Sequence, residues 1–191
     1  MRLHSLCTAL CALALAAGCA SFASQPPLPD WAGPHHPLLV RFDVSERGML
    51  QVGEDGWTDL PGNSALAKAA AKAVRDTGWI AEQRFDQKSP RLDLHIANYQ
   101  SDGPGIIVMF SGFLVPGVVR HRITLDASYQ VGNDPPLSCS RTEEVTTWYQ
   151  TFLLFVYPFA TPPSGRAKVT NALALQCVAE ILKQADAAAA R

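Results

Sequence analysis

An α+β fold is predicted by the sequence, with an antiparallel sheet covered on one face by two helices. The first supporting observation is the strict alternation of apolar and polar residues over 122–131, which is typical of a strand with one face in water. The second is the helical spacing of apolar residues in two segments, 65–77 and 166–185. Because each strand must bury its apolar face, the expected packing is a two-layer sandwich.

Residues 38–191 are expected to form this fold as one domain, which begins with a strand and a hairpin. Apolar and polar residues alternate from 38 to 45, and this alternation indicates a strand. Residues 49–52 and 57–60 flank a Gly-Glu-Asp-Gly segment, a pattern typical of a short hairpin.

The first predicted helix, 65–77, follows Asn63 and Ser64, either of which can act as its N-cap. Gly78 comes directly after the last position of the apolar face and is the expected end of the helix. That face is rich in alanine, so the helix is expected to lie close against a sheet.

The second half of the domain is predicted to contain further strands and the second helix. The strand segments are 79–85, 91–99, 122–131 and 137–149. Residues 132–136 read Gly-Asn-Asp-Pro-Pro and indicate a turn, so the last two strands are expected to pair antiparallel. The second helix, 166–185, follows Ser164 as a candidate N-cap.

The N-terminus has the layout of a secretory signal. An apolar stretch, 6–17, follows the single positive charge of Arg2 and is too short to span a bilayer comfortably. Residues 15–19 read Leu-Ala-Ala-Gly-Cys, which resembles the lipobox of bacterial lipoproteins. In that family the cysteine receives a diacylglycerol, the signal is cut before it, and the new N-terminus is acylated. The resemblance implies a signal peptide at 1–18 and a lipidated Cys19.

The same resemblance implies a cellular location and a mode of membrane attachment. Several acyl chains on one cysteine hold a protein stably on a membrane, so we expect a periplasmic protein tethered by lipid. Ala20 and Ser21 are not acidic, a pattern that favours the outer membrane over the inner one in such lipoproteins. Residues 19–37 are rich in proline and are predicted to form a tether. The alternative is an ordinary secreted protein cut before Ser24.

Once Cys19 is assigned to lipid and the signal is removed, Cys139 and Cys177 are the cysteines that remain. In an oxidising compartment one remaining pair predicts a disulfide, with two unpaired buried thiols as the alternative. Removal of the signal also shifts the formal net charge from −1 to −2, because Arg2 is its only charged residue. That balance argues against nucleic acid as a partner.

Two uncharged apolar runs, 103–119 and 152–160, lie at the outer ends of the last two predicted strands, so the hairpin brings them side by side. They either pack as ordinary core or form an exposed apolar platform for a membrane or an envelope partner. The residues predicted for this contact surface are Ile106, Ile107, Val108, Phe110, Phe113, Leu114, Trp148, Phe152, Phe155 and Tyr157. Arg120, His121 and Arg122 are interpreted as ordinary solvated strand residues, with contact to lipid head groups or to an acidic partner as the alternative.

No group of residues predicts an active site, a metal site or a cofactor. His95 and His121 fall on separate predicted strands, and neither is near a candidate nucleophile in sequence. Ser111 lacks the first glycine of the Gly-x-Ser-x-Gly elbow. Glu143 and Glu144 are adjacent in a strand and therefore face opposite sides. We therefore expect a protein without enzymatic activity.

In the order of its elements the chain is similar to small envelope lipoproteins, among them the lipopolysaccharide-assembly lipoprotein and the auxiliary lipoproteins of lipid transporters. The resemblance implies a non-enzymatic role in binding or assembling another envelope component. A carrier of a lipid or small apolar ligand is the first alternative, and a hydrolase with an unrecognised site is the second. A closed apolar cavity would favour the carrier, and polar side chains converging in a deep pocket would favour the hydrolase.

Overall fold

The computed structural model describes residues 18–22, 26–31, 33–34, 36–52, 56–60, 65–83, 89–101, 117–150 and 162–189. Over these ranges the chain forms an α+β domain with an open, mixed sheet and two helices. The strands are β1 Gly18–Phe22, β2 Leu38–Val52, β3 Gly56–Leu60, β4 Ile80–Glu82, β5 Arg91–Gln100, β6 Gly117–Gln130 and β7 Leu137–Gln150. The helices are α1 Ala65–Asp76 and α2 Pro162–Ala189.

The strands lie in the order β1-β7-β6-β5-β2-β3, and the short β4 pairs with the start of β2. The pairs β1 with β7, β7 with β6, β6 with β5, and β2 with β3 are antiparallel. However, β2 runs parallel to both β5 and β4, so the expected antiparallel sheet is mostly right and fails at these two pairs. The physical reason is that α1 lies between β2 and β5 in the chain and provides the long crossover that parallel neighbours need.

Alternation along the strands gives the sheet two different faces. On β6, Ile123 and Leu125 are fully buried, whereas Arg122 before them and Asp126 after them are exposed. We call the side of Ile123 the covered face, because both helices pack on it, and the side of Arg122 the open face. The side chains with no accessible surface on the covered face and on the helices above it include Leu92, Ile96, Ile123, Leu125, Val178, Ile181 and Leu182.

The N-terminus of helix α1 is capped by a carboxylate from the sheet. The Glu46 side chain on β2 accepts hydrogen bonds from the backbone N–H groups of Leu66 and Ala67, each at 3.1 Å. The candidate caps Asn63 and Ser64 lie outside the described residues. Gly78 follows the helix with a φ of 70°, a left-handed conformation that glycine adopts without strain, in agreement with its predicted place at the helix end.

Helix α2 is longer than predicted at both ends. It starts at Pro162, so Ser164 lies inside the first turn and is not the N-cap. A proline is well tolerated there because its missing N–H would have no partner in the first turn of a helix. Cys177 of α2 is joined to Cys139 of β7 by a disulfide, which fastens this helix to the sheet.

Strand β6 begins at Gly117, five residues before the predicted start at 122, and β4 is much shorter than the predicted strand 79–85. The last residues of the first apolar run are therefore strand. Val119 is buried on the covered face and Val118 is partly exposed on the open face. Val118 and Val119 are β-branched and favour an extended backbone, and they pair with the end of β7, so the antiparallel ladder continues back to Gly117.

The predicted tether is partly attached to the domain. Gly18–Phe22 pairs with β7 as an edge strand, with Cys19 opposite Tyr149. Further along, Gln176 of α2 donates a hydrogen bond to the Pro27 carbonyl at 2.6 Å. The ring of Trp31 lies 5.2 Å from that of Trp79, which is itself buried. The described residues of this segment therefore pack against the domain.

Among the described residues, no helix combines the length and the hydropathy needed to cross a bilayer.

Candidate functional site

The open face of the sheet changes character along its length. At one end, which we call the acidic end, lie Asp43, Asp93 and Asp126. Asp43 and Asp93 each pair with an arginine of their own strand, at 3.2 and 2.6 Å. At the opposite end, which we call the aromatic end, the face carries Trp57, Tyr99, Arg120 and Trp148. The open face therefore has two chemically different ends, one acidic and one aromatic.

The aromatic end contains an open groove with a volume of about 690 Å³. Trp57 and Tyr99 form its aromatic wall, with ring centroids 5.4 Å apart and ring planes nearly perpendicular. The Trp57 side chain is 47% exposed, so the ring is accessible from solvent. Because β2 lies between β3 and β5, this edge-to-face pair reaches across β2. The contact depends both on the β2–β3 hairpin and on the parallel pairing of β2 with β5.

Two arginines line the same groove in different electrostatic settings. Arg122 forms an ion pair with Glu144 of β7 at 3.1 Å. The guanidinium of Arg120 has no carboxylate partner among the described residues, although its backbone exchanges hydrogen bonds with Ser101. Both side chains are exposed, as predicted for solvated strand residues. The groove therefore presents one uncompensated positive charge beside an aromatic pair.

His121 lies between these arginines in the sequence, and the prediction that it is a solvated strand residue is wrong. It lies on the covered face with 3% of its surface exposed, and its Nδ1 has no hydrogen-bond partner among the residues that the structure describes. Burial, together with the positive charge of Arg166, lowers the pKa of His121 to about 4. The sequence held the signal for this burial, because residue 121 has the same parity along the strand as Ile123.

The pairing of β2 with β5 and β6 also places Ser45, His95 and Asp126 in one row of the open face. Ser45 Oγ lies 2.8 Å from His95 Nδ1, but the carboxylate of Asp126 accepts a hydrogen bond from Ser140 and none from His95. A nucleophilic triad needs the histidine to be held by the acid. This exposed row lacks that contact, and within the described residues no group of His, Cys, Asp or Glu can hold a metal ion.

Of the predicted contact surface, the structure describes Trp148, which is 39% exposed on the open face opposite Val118. The other predicted residues, at 106–114 and 152–157, lie outside the described ranges. The strand ends that border these runs in sequence can be located, because Gly117 at the start of β6 pairs with Tyr149 near the end of β7. These two strand ends therefore lie side by side at the aromatic end.

Cys19 also belongs to this end of the molecule. It lies on β1 opposite Tyr149, and the neighbouring Ala20 is opposite Trp148. Cys19, the ends of β6 and β7 and the aromatic end of the open face are thus positioned by the same few strand residues.

A second cavity, of about 400 Å³, lies at the other end of the molecule between the sheet and the end of α2. Its wall is mostly apolar and includes Leu38, Tyr129, Leu137 and Ala185, with Asp186 at the rim. Burial and the nearby carboxylate of Asp186 raise the pKa of Tyr129. The phenol therefore stays neutral at physiological pH in this pocket.

Comparison with known proteins gives little further guidance. No protein-family model matches the chain, and no curated protein matches it. One solved structure, described as an uncharacterized protein, has 10% identity and a TM-score of 0.39, and the match covers 85% of this chain and 96% of that one. Another, protein XCC0632 from Xanthomonas campestris, described with the family DUF330, has 14% identity and a TM-score of 0.44, covering 90% and 98%. Both likenesses are too distant to assign a family or a function.

Proposed function

We propose that this chain is a lipoprotein of the bacterial cell envelope, acylated on Cys19 and held at the periplasmic face of a membrane. The supporting observation is that the lipobox cysteine lies on an edge strand at the aromatic end, opposite Tyr149, which itself pairs with Gly117 at the start of β6. An anchor at this position holds one defined end of the domain close to the bilayer. The non-acidic Ala20 and Ser21 favour the outer membrane.

In this proposal residues 1–18 are a signal peptide and Cys19 carries the lipid. Residues 38–191 form a two-layer sandwich whose covered face is filled by α1 and α2. Because that face is occupied by the protein's own helices, the open face and the two apolar runs remain for contact with other envelope components. The role we propose is therefore binding or assembly without catalysis.

Acylation is tested by growing cells that express the chain with an alkyne-tagged fatty acid and measuring label on the purified protein. We expect label on the wild-type chain and none on Cys19→Ser. Cys139→Ser is the matched control, because it removes a cysteine that the structure assigns to the disulfide, and it should keep the label. Equal labelling of Cys19→Ser and wild type, or an N-terminus at Ser24, would refute the lipoprotein.

The binding role is tested by a photo-crosslinking amino acid at position 148, on the aromatic end. The matched control places the same amino acid at position 39, an exposed residue of the open face at the acidic end. We expect a discrete protein or lipid adduct from position 148 and none from position 39. Equal adduct patterns from both positions would mean that the aromatic end is not the contact surface.

A second candidate function is a carrier of a small apolar ligand, favoured by the apolar cavity beside Tyr129. For this function, the protein extracted from cells should carry a bound apolar compound that mass spectrometry detects. Leu137→Trp should fill the cavity and remove the compound, whereas Leu39→Trp on the open face should not. A wild-type protein that carries no such compound would exclude the carrier.

A further inference from the structure

The aromatic end of the open face combines groups that suit the boundary between water and lipid. Trp148 and Trp57 are large apolar rings with a polar N–H, and both are exposed. Tyr99, against Trp57, supplies a hydroxyl in the same groove. Aromatic side chains with a polar handle concentrate at the level of lipid head groups.

The charges of the open face favour the same orientation. Arg120 is an exposed cation whose guanidinium has no carboxylate partner among the described residues. At the acidic end, Asp126 accepts a hydrogen bond from a serine hydroxyl and has no cationic partner within the described part of the chain, while Asp43 and Asp93 are each paired with an arginine. An anionic surface is therefore attracted to the aromatic end and not to the acidic end.

The strand register sets how far these groups lie from the proposed anchor. Cys19 is one residue from Ala20, which lies opposite Trp148, and Trp148 lies opposite Val118 of β6. Two strand spacings separate β1 from β6, so Val118 is roughly 10 Å from the strand that carries the anchor. Arg120 is two residues further along β6, which adds about 7 Å along the strand. Along the strand direction Cys19 is level with Gly117, so Trp148 lies about 3 Å and Arg120 about 10 Å beyond the anchor. The interfacial layer of a leaflet is about 5–8 Å thick, so Trp148 falls at head-group depth and Arg120 just beyond it.

We propose that the aromatic end lies against anionic phospholipid head groups of the membrane that holds Cys19, with Arg120 contacting lipid phosphate. This inference rests on the proposed lipid anchor and goes further, because it fixes which end of the domain faces the bilayer. The acidic end and the apolar cavity beside Tyr129 then point into the aqueous space.

Hydroxyl-radical footprinting of the full chain on vesicles tests this orientation. The chain is measured on vesicles of phosphatidylcholine alone and on vesicles of phosphatidylcholine with phosphatidylglycerol. We expect oxidation of Trp148 and Trp57 to fall severalfold on the anionic vesicles, while oxidation of Leu39 stays the same. Leu39 is the matched control because it is an exposed side chain of the same face at the opposite end.

Two charge variants identify the group responsible. Arg120→Gln should return Trp148 and Trp57 to their oxidation on neutral vesicles, because one arginine near an anionic surface shifts binding about fivefold. Lys68→Gln removes the same charge from the exposed side of α1 and should leave the protection intact. Equal oxidation on both vesicle types, or protection of Leu39 instead, would overturn the proposal.

Mass spectrometry of the N-terminal peptide in the same samples reports acylation separately. A lipidated chain without protection refutes the docking surface and leaves the proposed function standing. An unlipidated chain refutes the proposed function. The docking surface is then judged separately, by whether anionic vesicles protect Trp148 and Trp57 of that unlipidated chain. Protection that appears in cell envelopes but not on pure vesicles would mean that a protein covers this end, which also refutes contact with lipid.

Discussion

Glu46 on strand β2 lies 3.1 Å from the backbone nitrogen of Leu66, and it accepts hydrogen bonds from the N–H groups of Leu66 and Ala67 in the first turn of helix α1. The first four N–H groups of a helix have no partner within the helix, and the positive end of the helix dipole lies there. A carboxylate from the sheet satisfies both needs. The same contact fixes the position of α1 on the covered face, since Glu46 belongs to a strand rather than to the helix.

Removal of this cap should destabilise the domain. We expect Glu46→Ala to lower the free energy of unfolding by about 1–2 kcal/mol, measured by urea denaturation. Glu46→Gln should cost less, because an amide oxygen can still accept a hydrogen bond. Glu144→Ala is the control, since its ion pair with Arg122 is exposed and such pairs contribute about 0–1 kcal/mol. A loss no larger than that of Glu144→Ala would contradict the capping role.

The buried His121 should make stability depend on pH. Its pKa is lowered to about 4 in the folded protein, from 6.5 for the exposed side chain. Between these values the unfolded chain binds a proton that the folded chain does not, so the free energy of unfolding falls as the pH falls. The total loss should be about 3 kcal/mol from above pH 6.5 to about pH 4.

The measurement for His121 is urea denaturation at a series of pH values for wild type and His121→Leu. Because both proteins share the same carboxylates, the difference in their slopes isolates the histidine. We expect the wild-type curve to be steeper between pH 6.5 and 4, and the two curves to run parallel above pH 7. Parallel curves over the whole range would show that His121 is protonated equally in both states.

Loss of the disulfide should have the largest effect on stability. Cys139 and Cys177 are separated by 38 residues, and closing such a loop stabilises the folded state by about 4 kcal/mol in the chain-entropy model. The double variant Cys139→Ala, Cys177→Ala should therefore melt roughly 10 °C lower. Reductant should lower the melting temperature of wild type to a similar value and leave the variant unchanged. A wild type insensitive to reductant after full reduction would contradict this expectation.

The attachment of the N-terminal segment should depend on Gly33. Its φ is 98°, and a Cβ at this position would overlap the ring of Trp79. Gly33→Ala should release the segment, exposing Trp31 to acrylamide quenching and residues 26–34 to proteases. Gly132→Ala is the matched control, because Gly132 has a φ of 56° with open space around it. It should lose about 1 kcal/mol of stability from backbone strain and keep the segment attached.

Local pattern predicted most of the elements, and the failures have physical causes. The alternation in 122–131 correctly identified the buried Ile123 and Leu125. It gave no information on which strand lies beside β2, because parallel pairing depends on the path of the crossover through α1. Ser164 was a reasonable cap by residue type, but the two prolines before it are equally compatible with a first helical turn, and the helix starts with them.

The candidate site was less predictable than the fold. Trp148 lies in a strand that could be recognised, and its exposure follows from the alternation along β7. The groove, in contrast, needs Trp57 of the hairpin to reach Tyr99 of β5, and these residues become neighbours only through the strand order. Likewise, Ser45 meets His95 because a parallel register aligns them across fifty residues of chain. Long-range pairing of this kind leaves no trace in local periodicity.

The outer edge of β7 is completed by the segment that carries Cys19, and this sets an order of events for an exported chain. In the lipoprotein proposed above, the signal holds the N-terminus at the translocation machinery while the remaining strands and α2 assemble. During that interval the last five residues of β7 present an unpaired row of backbone donors and acceptors, which another chain could extend into a longer sheet. Arrival of the N-terminal strand ends this exposure. Under that proposal, processing of the signal is coupled to protection against intermolecular strand pairing, and a delay in processing should appear first as aggregation.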